Sequence, residues 1–207
     1  MSVFLPKIIE KMKFGLSEIT EIIKDRRTIY PQQFSSRKVH REIIEKLINN
    51  GIWAPNHGST QPWRYRVYQD AGMEQLSEFL QSTYITFVGE GNVDSGKIDK
   101  IKMRCERSSA VIALCMKRDA RGKIPEIEEI EATACAAQNI QLTATAYGLG
   151  CFWSTPKFIY TDLVNDFLQL DEGDKCLGFL YIGYPESDFE WPKGQRKPIE
   201  YVTEWIN

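Results

Sequence analysis

The feature that most constrains this chain is the stretch over residues 126–147. Four glutamates, Glu126, Glu128, Glu129 and Glu131, open it, and residues 132–147 carry no charge. Carboxylates favour the positive end of a helix dipole, and Gly148 is a natural left-handed stop. One long helix is therefore predicted, with its uncharged half covered on most faces. Gln138, Asn139 and the threonines of that half argue against a membrane span.

Other segments show shorter periods. Ile8, Ile9, Met12, Leu16, Ile19, Ile22 and Ile23 return at helical intervals over residues 3–25, where Gly15 can separate an N-terminal extension (1–15) from a first helix. Val39, Ile43, Leu47 and Ile48 mark a second amphipathic stretch over 39–53, stopped by Pro55. Residues 72–88 read as a helix, and 89–96 as a glycine-bearing loop that is a candidate lid. Strands are expected over 64–69, over the apolar run 110–116, and over 176–183 after a short helix near 161–169. No repeat, low-complexity tract or linker divides the chain, so residues 16–207 are expected to form a single domain.

Composition excludes several function classes. With 207 residues, 43% hydrophobic and 26% charged, the chain can bury a sizeable core. Its net charge of −2 offers no electrostatic reason to bind nucleic acid. No apolar run approaches the roughly 20 residues of a membrane helix. Pro6, Lys7, Glu10, Lys11 and Lys13 interrupt any signal-peptide core, so a cytoplasmic protein is expected. The cysteines, Cys105, Cys115, Cys135, Cys151 and Cys176, include no C-x-x-C pair, and the only histidines are His40 and His57. That set points away from a metal site and towards reduced, mostly buried thiols.

Two segments carry candidate chemistry. Arg26, Arg27 and Thr28 place two guanidinium forks and a hydroxyl at a helix end, a donor set that suits phosphate oxygens. A solvated helix terminus is the alternative reading. The second segment is a polar loop running from Ala54 and Pro55 through Asn56, His57, Gly58, Ser59, Thr60 and Gln61 to Pro62 and Trp63. Together they suggest a site for an anionic, flat ligand rather than a nucleophile-based catalyst. Trp63 reads as core packing, and Gln61 as either a loop hydrogen-bonder or a ligand contact. Gly148, Leu149 and Gly150 end a helix and so lack the context of a dinucleotide fingerprint.

These segments occur in a familiar order. Arg26, Arg27 and Thr28 precede the Ala54–Trp63 loop; Ala136, Ala137, Gln138 and Asn139 follow, then residues 146–150, then 178–185, then Arg196, Lys197, Pro198, Ile199 and Glu200. No one motif is specific, but taken in order, with 136–139 and 146–150 counted as one, the five resemble the nitroreductase superfamily over roughly residues 17–205. The short chain and the Ala54, Pro55, Asn56, His57 run resemble its compact, YdjA-like branch.

The resemblance implies an α+β fold: a nitroreductase-like sandwich, with a central, mainly antiparallel sheet flanked by helices, in an intertwined homodimer. It implies FMN at the subunit interface and NAD(P)H as co-substrate. By resemblance Arg26, Thr28 and Arg196 serve the FMN phosphate, and Arg27 belongs to the same cofactor-binding set but reads as more structural than Arg26. Asn56, His57, Ser59 and Gln61 lie against the flavin bound by the other subunit's cations, and Trp153, Ser154 and Thr155 run beside the ring edge near N5. Lys102 and Arg104 can place a cation near the N1–O2 edge or form a solvated helix face. Ser154 stands where the branch commonly has arginine. The expected function is hydride transfer from NAD(P)H through flavin N5 to a nitroaromatic, quinone or similar small-molecule acceptor in a ping-pong cycle, with no catalytic side chain required. Another reductive enzyme on the scaffold (a dehalogenase or dehydrogenase) and a non-catalytic FMN-binding protein are the rival readings.

Overall fold

A buried strand pair organises the molecule. This is a computed structural model that describes residues 14–206. The apolar run forms β2 (Ala110–Met116), in which every residue is buried. Its side chains alternate: Val111, Ala113 and Cys115 enter one core, and Ala110, Ile112 and Leu114 the other. A strand apolar on both faces must be covered twice, and helices do so here. On one side lie α2 (Arg41–Gly51) and α5 (Glu126–Ala146). On the other lie α3 (Ala71–Val88), α4 (Ser95–Arg107) and α6 (Asp162–Leu168).

The sheet adds β1 (Trp63–Tyr68), β3 (Gly150–Ser154) and β4 (Lys175–Gly183) in the order β1-β2-β4-β3. Every neighbouring pair is antiparallel, as the α+β expectation requires. β1 and β3 are therefore the outer strands. Backbone near Thr28 partly covers β3, since the Ile29 N–H donates to the Cys151 carbonyl at 3.0 Å.

The long helix matches its expected span to within a residue, with Gly148 at φ +68° after it. Its threonines stay compatible with burial because Thr133, Thr143 and Thr145 each donate to the carbonyl four residues back. The first helix, α1 (Leu16–Asp25), starts directly after Gly15 and has no buried residue. The part of its expectation over residues 3–13 lies outside the described residues, as does most of the proposed extension. The sequence marks α4 only through the solvated helix face at Lys102 and Arg104, without bounds, because the helix is rich in charge and fully buries only Cys105. β3, five residues long, is a strand where the resemblance implies only a ring-side segment.

One close contact ties the edge strand to the core. Gly150 and Gly183 are cross-strand partners, and Phe34, fully buried, packs against both. A Cβ at Gly183 would come within 2.6 Å of the Phe34 ring, and one at Gly150 within 2.7 Å. We expect Gly183→Ala to lower stability by about 1–3 kcal/mol through overpacking. Adding Phe34→Leu to that variant should restore part of the loss, giving non-additive urea midpoints.

Candidate functional site

The two candidate segments sit at opposite edges of the sheet. α1 ends at Asp25, and the Arg26 N–H donates to the Ile22 carbonyl at 3.0 Å. Thr28 then bridges to Cys151, which sets the segment along the outside of β3. The Arg26 guanidinium lies close enough to Cys151 to lower its thiol pKa against the larger upward push of burial, which leaves it at about 12. Ser154 ends the same strand, and Thr155 follows it, exposed.

Arg26 and Arg27 are placed differently. Arg27 Nη1 donates to the Arg26 carbonyl at 2.8 Å. Its guanidinium lies against Gly194, where a Cβ would come within 2.3 Å of Nη2. Arg27 therefore clamps the C-terminal segment, which a 2.5 Å hydrogen bond from Trp191 Nε1 to the Asp25 carbonyl also holds. Arg196 follows two residues after Gly194; it is exposed and donates to the carbonyl of its neighbour Gln195.

The second segment precedes β1, at the other edge. Trp63 is buried against Ala54, Ala132 and Ala136, as its core reading required. The loop before it is backbone-strained: Gly58, Ser59 and Gln61 have φ of +58°, +54° and +46°. Two of these are not glycine, a cost that persists only where surroundings enforce the conformation. Asn56 Oδ1 accepts from the Gln61 N–H at 3.0 Å and so closes the loop. His57 Nδ1 lies 2.5 Å from Glu128 Oε2, in the first turn of α5. His57, Ser59 and Gln61 are exposed. Outer strands of a four-stranded sheet are three spacings apart, about 14 Å. Within one chain this loop therefore does not meet Arg26.

Trp153 is spent on structure. Its Nε1 donates to the Leu177 carbonyl at 2.9 Å, beside Gly178, where φ is +143° and no Cβ fits. Lys102 is exposed and pairs loosely with Glu106 at 3.8 Å, which bears out its solvated reading. Arg104 is different. It is half-buried, its guanidinium sits 4.7 Å from the Phe152 ring centroid, and its Nε is buried with no partner among the described residues. A buried donor left unpaired costs about 1–3 kcal/mol, so it marks a place where an acceptor can bind. Of the two readings offered for Arg104, a cation near the N1–O2 edge and a solvated helix face, its burial favours the first.

The model of the nitroreductase family matches residues 23–184. The chain belongs to the nitroreductase family. It is 28% identical over 162 residues to a protein of Escherichia coli K12 named as an NAD(P)H nitroreductase, YdjA, a match that covers 78% of this chain and 86% of that one. It is 29% identical over 207 aligned positions to an iodotyrosine deiodinase of Nematostella vectensis, covering 93% of this chain and 76% of that protein. A crystal structure of a nitroreductase-like family protein from Bacillus cereus superposes with a TM-score of 0.77 at 31% identity, covering 94% and 98% of the two chains.

The site has no metal or nucleophile chemistry in view. Among the described residues no cluster of three His, Cys, Asp or Glu side chains could hold a metal ion. Cys105, Cys115, Cys151 and Cys176 are buried thiols and Cys135 is exposed, in line with the reduced-thiol expectation. Burial raises Cys105 to about 11. Cys115 is pushed up first by its hydrogen bond with Cys176 across the β2–β4 register, then by burial. A raised thiol pKa means little thiolate below it, so at pH 8 Cys105 is only about one part in a thousand reactive. A thiol reagent at pH 8 should modify Cys135 at most, and all five cysteines only after unfolding. Counting labelled sites by mass checks this.

Proposed function

We propose that the chain is an FMN-dependent oxidoreductase that passes reducing equivalents from NAD(P)H to a small organic acceptor. The observation that carries this reading, beside family membership, is the split between the two sheet edges. Arg26, Thr28 and Ser154 line β3, and the Asn56, His57, Ser59 and Gln61 loop lies beyond β1. Two such chains facing each other across a two-fold axis would bring one chain's β3 edge to the other's loop. In this reading the protein is a homodimer with two equivalent sites.

The residues present fit FMN. Arg26 makes no side-chain hydrogen bond among the described residues and stands beside the exposed Thr28, a pairing suited to a phosphate dianion. The orphaned Arg104 Nε suits an electron-rich ring edge. When bound, FMN would supply the hydride chemistry itself. Arg26, Thr28 and Arg196 would anchor the phosphate, and Arg104 would stabilise negative charge on the ring by a preorganised field. Ser154 and Thr155 would border the ring, and the partner's loop would shield it from water. Arg27 serves the C-terminal segment instead.

Exposed apolar surface supports the dimer. Leu16, Ile19 and Ile23 of α1, and Ile199, Tyr201, Val202, Trp205 and Ile206 of the C-terminal segment, are exposed in the single chain. On α5 the exposed Cys135 and Gln138 and the half-buried Leu142 share one face. Contiguous exposed apolar surface of this kind is what an interaction site needs, and these residues are the candidates for it. Similarity to an iodotyrosine deiodinase keeps reductive dehalogenation as a second reading, and turnover of halogenated phenols against nitroaromatics and quinones separates the two.

The purified protein should carry stoichiometric FMN, and anaerobic NADH or NADPH should remove its visible absorbance. FAD, or a colourless protein that cannot be reconstituted with FMN, would refute the reading. Arg26→Ala should weaken FMN binding about ten- to a hundredfold, the loss of a charge-assisted contact of about 1.5–3 kcal/mol. Arg27→Ala should act more on stability than on affinity. Equal losses of affinity in apo-protein titrations would contradict the assignment.

The dimer has its own test. Gln138→Arg places charge at the centre of the uncovered α5 face. It should yield monomers by sedimentation that have lost flavin and whose Cys135 labels faster than in the unaltered protein. A fully flavin-loaded monomer would rule out a shared site.

A further inference from the structure

We propose that His57 and Glu128 form a proton-delivering pair for acceptor reduction, with Glu128 positioning the imidazole. This rests on the FMN-dependent reading above. The chain's turn at the start of α5 holds three carboxylates, each with its own partner. Glu126 pairs with Lys175 at 3.0 Å. Glu129, buried, pairs with Arg118 and also accepts from the Asp119 N–H at 2.8 Å. Glu128 is turned to His57, 2.5 Å from Nδ1. The charge facing the imidazole is therefore the Glu128 carboxylate, because its two acidic neighbours are neutralised by Lys175 and Arg118.

The geometry assigns the ring nitrogens. An ionised carboxylate only accepts, so Nδ1 carries a proton towards Glu128. Nε2 is then the atom left to work, on an exposed ring in a loop held at unusual φ values. A loop without function has no need of left-handed backbone at Ser59 and Gln61, and an observed outlier of this kind points to a functional demand. A carboxylate on one nitrogen selects the tautomer and aims the other, the general logic of a carboxylate-oriented histidine.

Reduction of a carbonyl or nitro acceptor by NAD(P)H needs a proton besides the hydride equivalent. For a quinone, NAD(P)H gives two electrons and one hydrogen, and the Nε2–H bond of imidazolium His57 breaks as the acceptor oxygen gains the proton. The neutral ring keeps Nδ1–H on Glu128, and water restores the proton at Nε2. NAD(P)⁺ and the hydroquinone are the products, so atoms and charge balance. The half-cycle in which NAD(P)H is oxidised needs no such proton, and His57 should matter far less there.

The test uses the flavin-loaded protein and separates the two half-cycles by stopped flow, with a benzoquinone as acceptor. In His57→Gln, the reduction of bound flavin by NADH or NADPH should change far less than its reoxidation does. Reoxidation by the quinone should slow about a hundredfold, within the range of general acid catalysis. Glu128→Ala should slow reoxidation about tenfold, and Glu128→Gln, which keeps the acceptor oxygen, should recover part of that. A second readout is independent of turnover. With only two histidines, ¹⁵N side-chain NMR assigned through a His40→Asn variant reports the tautomer directly. Neutral His57 should be the Nδ1–H form in the parent and in Glu128→Gln, and the Nε2–H form in Glu128→Ala. Quinone reoxidation at the parent rate in His57→Gln, or an Nε2–H tautomer in the parent, overturns the pair while leaving the FMN reading intact. A protein that takes up no FMN overturns both.

Discussion

Two strands buried on both faces, β2 and β4, set the terms for everything else. Phe179 and Tyr181 of β4 enter the same core as Val111, Ala113 and Cys115, while Leu180 and Ile182 join Ala110, Ile112 and Leu114. Such strands can have no solvent face, so helices must lie on both sides, and the loops that carry polar chemistry are pushed to the rim. The rim has two edges. β1 and β3 are separated by the full width of this apolar pair, and the candidate site residues are divided between them. Under the dimer proposed above, a shared site follows from this core: the sheet keeps the Arg26 segment and the His57 loop apart in one chain, and a second chain would bring them together.

Much of this was legible in the sequence, for reasons of strength of pattern. The charge-free half of α5 and the run that became β2 are long, uniform and bounded, and both were placed to within a residue. The order of the site segments was legible too, because Arg26, the Ala54–Trp63 loop and Arg196 are sparse markers far apart in the chain. What was illegible was contact. α4 shows a weak period since only Cys105 is fully buried, and β3 is short and only half-buried over its last three residues. The roles of Arg26 and Arg27 are inseparable by composition, and only the approach of Gly194 to the Arg27 guanidinium distinguishes them. Likewise the partner of His57 is 71 residues away, supplied by a helix whose acidic start was read as a response to the dipole alone. The dipole accounts for carboxylates in that turn; it does not say which one faces a histidine.

The acidic turn also explains why that corner of the molecule is rigid. Glu129 is nearly inaccessible, and a buried carboxylate is costly unless charge and hydrogen bonds compensate it. Arg118 and the Asp119 N–H do so, and Arg118 in turn donates to the Ile124 carbonyl. Ile124 packs within 3.1 Å of where a Cβ on Gly58 would stand. One ion pair thus holds the approach to α5, and the approach holds the strained loop. Breaking it would loosen the His57 loop without touching any residue of the loop itself.

The same reasoning applies at the opposite edge, with the sign reversed. There the Arg26 segment hangs from α1, a helix with no buried residue, and from a C-terminal segment exposed along most of its length. Within one chain these pieces are joined by the Trp191 bond to Asp25 and the Arg27 clamp at Gly194, and α1 also packs against α5. Elements with so little buried apolar area sit at the low end of local stability. Under the dimer proposed above, a second chain covers Leu16, Ile19 and Ile23, and ordering of the phosphate end becomes part of association. Ligand binding at that end must then strengthen the dimer by mass action, since a ligand that favours the associated state draws the equilibrium towards it. In that proposal the two edges are complementary: the loop that would shield the ring is built by the core, and the segment that would grip the phosphate is completed by the partner.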